Sequence, residues 1–171
     1  MKLKKYLYKS VKSTNDIAIK KIKQGVTSGI IIAKKQTRGR GRHGSKWIYI
    51  KNNLFISVFF NLSSNISLMK LTSNSSKIVQ KSLSKFLKKK ITIKKPNDLL
   101  INKKKLCGIL QEIMFYKTNK FAIIGIGINI NGSPIIDNYP TTYINFFKKK
   151  KLTSFKIYNE IKKNFEKYLN K

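Results

Sequence analysis

GRGRHGSKWIYIKNNLFISV, Gly39 to Val58, decides between two folds. Its first six residues, Gly39 to Gly44, match the string GxGxxG. In a dinucleotide-binding βαβ unit that string must open a helix. Here it runs into SKWIYIKNNLFISV, whose apolar residues alternate as in a strand. The context excludes the dinucleotide-binding unit and leaves a glycine loop followed by two strand pieces on either side of Asn52 and Asn53.

The loop holds Arg38, Arg40 and Arg42, the only arginines among 38 basic residues; the rest are lysine. Glycines let a backbone approach a ligand closely, and successive N–H groups can make a concave anion site. Arginine adds a planar fork that grips a carboxylate or phosphate through two bonds, which a lysine point charge cannot do. Arginine retained only here predicts a geometric task. The bland alternative is a solvated basic loop that touches phosphates without specificity.

Outward from the loop, KYLYKSV alternates and predicts a strand, and Asn15 to Lys23 predict a short helix capped by Ser13 or Thr14. Gly29 to Lys35 are β-branched and predict a buried strand. Ile66 to Lys89 carry apolar residues at helical spacing. KITIKKPND predicts a strand cut by Pro96; Lys105 to Phe115 and Phe121 to Ile130 predict two more, joined by the short turn YKTN. Leu152 to Leu169 predict an amphipathic final helix. Strands outnumber helices and several connections are too short for a crossover. The expected fold is therefore α+β, a mixed, largely antiparallel sheet with helices packed against it.

At 171 residues the chain is expected to be one domain, and an apolar fraction of 41 % is sufficient for a core. Only 6 acidic residues balance the basic ones, for a formal charge of +32. The lysines are spread along the whole chain, which reads as compositional drift, so no specific DNA binding is expected. Such a charge still costs self-repulsion. Cys107 is the only cysteine, which excludes an internal disulfide framework and a thiolate metal cluster. The N-terminus is basic without an apolar stretch, and FAIIGIGINI is too short to span a membrane. A soluble, cytoplasmic protein is expected.

The scarce acids carry information. Asp98 and Lys105 flank a turn-like NKK, so two strands joined there would bring both side chains together. A carboxylate and an ammonium beside an arginine loop suit a metal-bound phosphate, with Asp98 toward Mg²⁺. A surface ion pair is the plainer reading. His43 reads as a spacer in the loop and Cys107 as a small buried residue.

Four motifs in order are STN (Ser13–Asn15), Q-x-x-GRGRxG-x-x-W (Gln36 to Trp47), PNDLL…KKLCGILQE (Pro96 to Glu112) and GIGININ (Gly125 to Asn131). Together they resemble the catalytic domain of the biotin protein ligases. These are related in fold to lipoate ligases and class II tRNA synthetases. The resemblance implies that Ser13, Thr14, Asn15 and Gln36 contact biotin. It implies that Gly39, Arg40, Gly41 and Arg42 fold over biotin and the adenylate, with Trp47 near the adenine. Lys105 would hold the biotin carboxylate and the α-phosphate, and Asp98 would serve the Mg²⁺-dependent step. Asn97 and Asn129 would contact the nucleotide, while Gly108 and Gly125 to Asn129 would form the pocket floor.

The implied reaction joins biotin and ATP into biotinyl-5′-AMP, then passes biotin to a lysine of a biotin carboxyl carrier protein of acetyl-CoA carboxylase. Lys105, Arg42 and Asp98 are the implied catalytic set. The protein would be a monomer or homodimer. Lys95 stands where the family usually has tryptophan. STN falls within the first fifteen residues, so no N-terminal helix-turn-helix domain and no repressor activity are expected, and the small C-terminal β-barrel of many members is expected to be absent. A lipoate or octanoate ligase on the same scaffold, or a non-catalytic polyanion-binding protein, are the competing readings.

Overall fold

The computed structural model describes residues 1–62 and 66–170. Nine strands and three α-helices occur among them: β1 (Lys5–Val11), α1 (Thr14–Lys23), β2 (Ser28–Gln36), β3 (Gly39–Arg40), β4 (Lys46–Trp47), β5 (Leu54–Asn61), α2 (Leu68–Ser84), β6 (Thr92–Lys94), β7 (Asp98–Ile101), β8 (Lys104–Tyr116), β9 (Asn119–Ile128) and α3 (Ser154–Leu169). Seven strands make one sheet in the order β1-β2-β5-β9-β8-β7-β6, and β3 and β4 form a separate two-stranded ribbon. Only β1 and β2 pair in parallel, with α1 as their connection; every other neighbour is antiparallel. The expected α+β class and mixed, largely antiparallel sheet are what the chain forms.

Strand alternation divides the interior. Along β9, Ala122, Ile124, Ile126 and Ile128 join the larger core with Val79 and Leu83 of α2 and Ile161 and Phe165 of α3. The opposite face begins apolar, with Phe121 and Ile123 packed beside Ala18 and Ile22 of α1. It then continues as Gly125 and Gly127. Where these side chains vanish, the second core stops and space opens over the sheet.

Three expectations shift. The helix expected over Ile66–Lys89 is shorter, Leu68–Ser84. Ser67 caps its N-terminus by accepting the Lys70 N–H at 3.2 Å; Ser67→Ala is expected to lower stability by about 1 kcal/mol in chemical denaturation. The first of the two strand pieces expected around Asn52 and Asn53 shrinks to Lys46–Trp47. Asn53 instead binds backbone, its Oδ1 accepting the N–H groups of Ile130 and Asn131 at 2.9 and 3.0 Å. The KITIKKPND strand becomes a hairpin arm, because Lys94 pairs back onto Asp98 around Pro96. Among the described residues, no helix is long and apolar enough to cross a membrane.

Candidate active site

The open space over Gly125 and Gly127 is a cleft of about 260 Å³. Its floor is set by register. Gly108 of β8 lies opposite Gly127 of β9, and Leu110 opposite Gly125. The indole of Trp47 lies across this floor. A β-carbon on Gly108 would stand 2.6 Å from the ring, and one on Gly127 would overlap it. A β-carbon on Gly125 would meet Asn15 Oδ1 at 2.5 Å. These glycines are glycine for lack of room. The Trp47 Nε1–H is buried with no acceptor among the described residues.

One wall is α1 and its entry. The backbone N–H of Thr14 donates to Gln36 Oε1 at 2.8 Å, and its hydroxyl lies 3.1 Å from the same atom. Ser57 of β5 places its hydroxyl 2.7 Å from Thr14 Oγ1 and 2.5 Å from Asn15 Oδ1. Ser13 caps α1 with extended backbone but makes no side-chain cap bond. Ser13, Thr14, Asn15 and Gln36 are thus buried polar residues turned to the cleft.

The opposite wall depends on a β-bulge. Asp98 pairs with Gly108 and Leu99 with Cys107, but Leu100 pairs with Lys105. Strict alternation from Gly108 would turn Leu106 to the cleft; the extra residue turns Lys105 there instead. The connection is a two-residue turn with Asn102 and Lys103 both at positive φ, the geometry of a tight hairpin. Lys105 Nζ then lies 3.0 Å from Asp98 Oδ1, and Tyr139 Oη donates to Asp98 Oδ2 at 2.6 Å. The same ammonium sits 5.6 Å from the Trp47 ring centre and 5.2 Å from that of Tyr139. Burial and the Asp98 carboxylate push the Tyr139 hydroxyl above its ordinary value, which keeps its proton on the bond to Asp98.

The glycine loop forms the lid. Arg40 Nη1 donates to Asp16 Oδ1 at 2.6 Å, and Nη2 lies 3.2 Å from Glu112 Oε1. Glu112 Oε2 also accepts Asn15 Nδ2 at 2.5 Å. Burial alone would lower the Arg40 pKa; the two carboxylates outweigh it and raise it. The expected fork is present, yet it grips the protein's own acids. Arg42 is exposed at the cleft mouth, while Arg38 stands outside the cleft. His43 takes positive φ in the 3₁₀ turn Arg42–Gly44.

Most residues anticipated from sequence line this one cleft, Asn97, Gly41 and Gly108 included. Two do not. Gly39 supports it from behind, closely packed on Gln36 and Trp47. Asn129 is turned away, its amide spent on Asn53 and on the Thr142 carbonyl, each at 3.2 Å. Asp98, expected to serve a Mg²⁺-dependent step, meets Lys105 with one oxygen and Tyr139 with the other. Among the described residues, no three His, Cys, Asp or Glu side chains stand where they could hold a metal. Tyr139, Asp16 and Ser57 escape sequence reasoning. Tyr139 belongs to an irregular segment with no periodic signal.

Cys107 is fully buried, and burial, with Asp98 adding and Lys105 partly offsetting, raises its thiol pKa far above the ordinary range. A raised pKa keeps the proton on sulfur through mildly alkaline pH. Native protein at pH 8 is expected to react with an aromatic disulfide at least tenfold more slowly than guanidinium-unfolded protein, as read by thiolate release.

A family model described as the biotin/lipoate A/B protein ligase family matches residues 7–129, which contain the loop, the floor and the Asp98–Lys105 hairpin. The chain belongs to that family. Among biotin/lipoate ligase relatives, the bifunctional ligase/repressor BirA of Escherichia coli is 34 % identical over 123 residues, 71 % of this chain and 38 % of that protein. The chain therefore spans well under half the length of this curated relative. The biotin protein ligase from Aquifex aeolicus in complex with biotin and ATP superposes with a TM-score of 0.81 at 26 % identity, covering 98 % of this chain and 70 % of that one. The Leishmania major biotin protein ligase in complex with biotinyl-5-AMP gives 0.81 at 26 % identity, covering 94 % and 72 %.

Proposed function

We propose that this chain activates biotin with ATP and transfers the biotinyl group to a lysine of a biotin carboxyl carrier protein, in the cytoplasm. The observation that carries this reading is the Lys105 ammonium, turned into the cleft by a bulge and held there by Asp98, within a family match shared with ligases of biotin. The biotin carboxylate attacks the α-phosphorus of ATP, a new P–O bond forms, and pyrophosphate leaves. The acceptor amine then attacks the acyl carbon of the mixed anhydride, and AMP leaves with the C–O bonding pair.

Both reactants of the first step are anions, so catalysis is a matter of aimed positive charge and excluded water. Lys105 supplies charge at the wall and Arg42 at the mouth. Asp98 and Tyr139 fix the Lys105 position, and the Thr14–Gln36–Ser57 bonds fix the polar wall against which the neutral part of biotin rests.

The deciding experiment is pyrophosphate release from ATP with biotin, and separately with lipoate. Release with biotin alone supports the reading. Release with lipoate alone moves the chain to the lipoate branch. No release with either, from folded protein, removes the ligase reading.

A further inference from the structure

A second depression, about 880 Å³, runs beside the cleft between the first half of α2 and the β6–β7 hairpin. Its apolar walls are Leu68, Met69, Ile93 and Pro96. Met69 is 83 % exposed and Leu68 49 %, large apolar side chains left open on an otherwise lysine-rich surface. The cations lining it are Arg42, Lys70, Lys77 and Lys95, and no acidic residue lines it. Ser76, only 1 % exposed, lies behind this lining with its hydroxyl buried and without a hydrogen-bond partner among the described residues. Arg42 lines this groove and the cleft alike, so the two adjoin there.

We propose that this groove seats an acidic segment, bearing an apolar anchor, of the protein that accepts the biotinyl group. The inference rests on the ligase reading above. The second half-reaction must bring a lysine on a macromolecule to the cleft, and that macromolecule needs a foothold at the cleft mouth. An apolar trough walled by Met69 and Leu68 offers burial for one or two large side chains. Four cations without an acid select against basic segments and steer acidic ones. Arg42 then stands at the junction, where the acceptor lysine would leave the groove for the cleft.

The test uses the full chain and a purified biotin carboxyl carrier domain, with two readouts. One is the KM for the carrier in biotinyl transfer; the other is biotin-dependent pyrophosphate release without carrier. Met69→Glu and Lys77→Glu, singly and together, lie outside the cleft. The double variant is expected to raise the carrier KM at least tenfold while pyrophosphate release stays at the wild-type level. Lys9→Glu, on the sheet edge farthest from β6, reverses a charge elsewhere and is expected to change neither.

An unchanged carrier KM in the double variant overturns the proposal. So does an equal rise with Lys9→Glu, which would mean diffuse charge attraction. A concentration-dependent dimer that Met69→Glu dissolves would assign the groove to a second copy and overturn it as well. Wild-type protein that releases no pyrophosphate sinks the ligase reading, and this proposal with it. A raised KM with intact release sustains both.

Discussion

Lys105→Ala is expected to cut biotin-dependent pyrophosphate release by about a hundredfold, the usual loss when one preorganised charge aimed at a developing anion is removed. The ammonium projects from the cleft wall, 3.0 Å from Asp98 and over two aromatic rings. Lys94, opposite Asp98 on β6, also approaches the Tyr139 ring, at 4.5 Å, but it does not line the cleft as Lys105 does. Lys105→Arg keeps the charge but not the compact ammonium, and should recover only part of the rate. Thermal unfolding of each variant separates chemistry from folding, since alanine also strips Asp98 of its cation. A Lys105→Ala enzyme with wild-type release would remove this residue from the reaction.

Gly127→Ala is expected to combine a stability loss of about 1–3 kcal/mol, the common cost of overpacking, with at least a tenfold loss of pyrophosphate release. The added methyl overlaps the indole of Trp47, so ring or strand must move. Trp47 is the only tryptophan, so its fluorescence reports the floor directly. The emission should shift to longer wavelength as the ring is driven toward solvent. Gly125→Ala is the contrast: it meets Asn15 rather than the indole, and should leave the emission where it was. An unshifted spectrum in Gly127→Ala would mean that the floor does not hold the ring.

Much of this site is readable before folding. GRGRHG excludes a dinucleotide unit because an alternating strand pattern, not a helix, comes after it, and the turn between Asp98 and Lys105 predicts their meeting. What alternation cannot reveal is the bulge that turns Lys105, rather than Leu106, to the cleft. A one-residue slip exchanges the faces of a strand, and pattern alone does not locate it. Arginine's fitness for carboxylates is legible, but its partners are not. Asp16 and Glu112 converge on Arg40 only after α1 docks on the sheet and β8 finds its register. Asn129 sits in a readable motif, yet its amide is consumed by Asn53 and Thr142 on the far side. Tyr139 reaches Asp98 from a segment whose path is set by tertiary contacts alone.

The Arg40 clasp on Asp16 and Glu112 also has a meaning in ionic-strength terms. A chain of net charge +32 repels itself, and added salt shortens the reach of that repulsion, to a Debye length of about 10 Å at 0.1 M. Global stability should therefore rise with salt. The clasp is an attraction between half-exposed groups, at 34 % and 49 % side-chain exposure for Arg40 and Asp16, so the same ions weaken it. The body of the protein and its lid thus answer salt in opposite directions: the fold tightens while the loop over the cleft loosens.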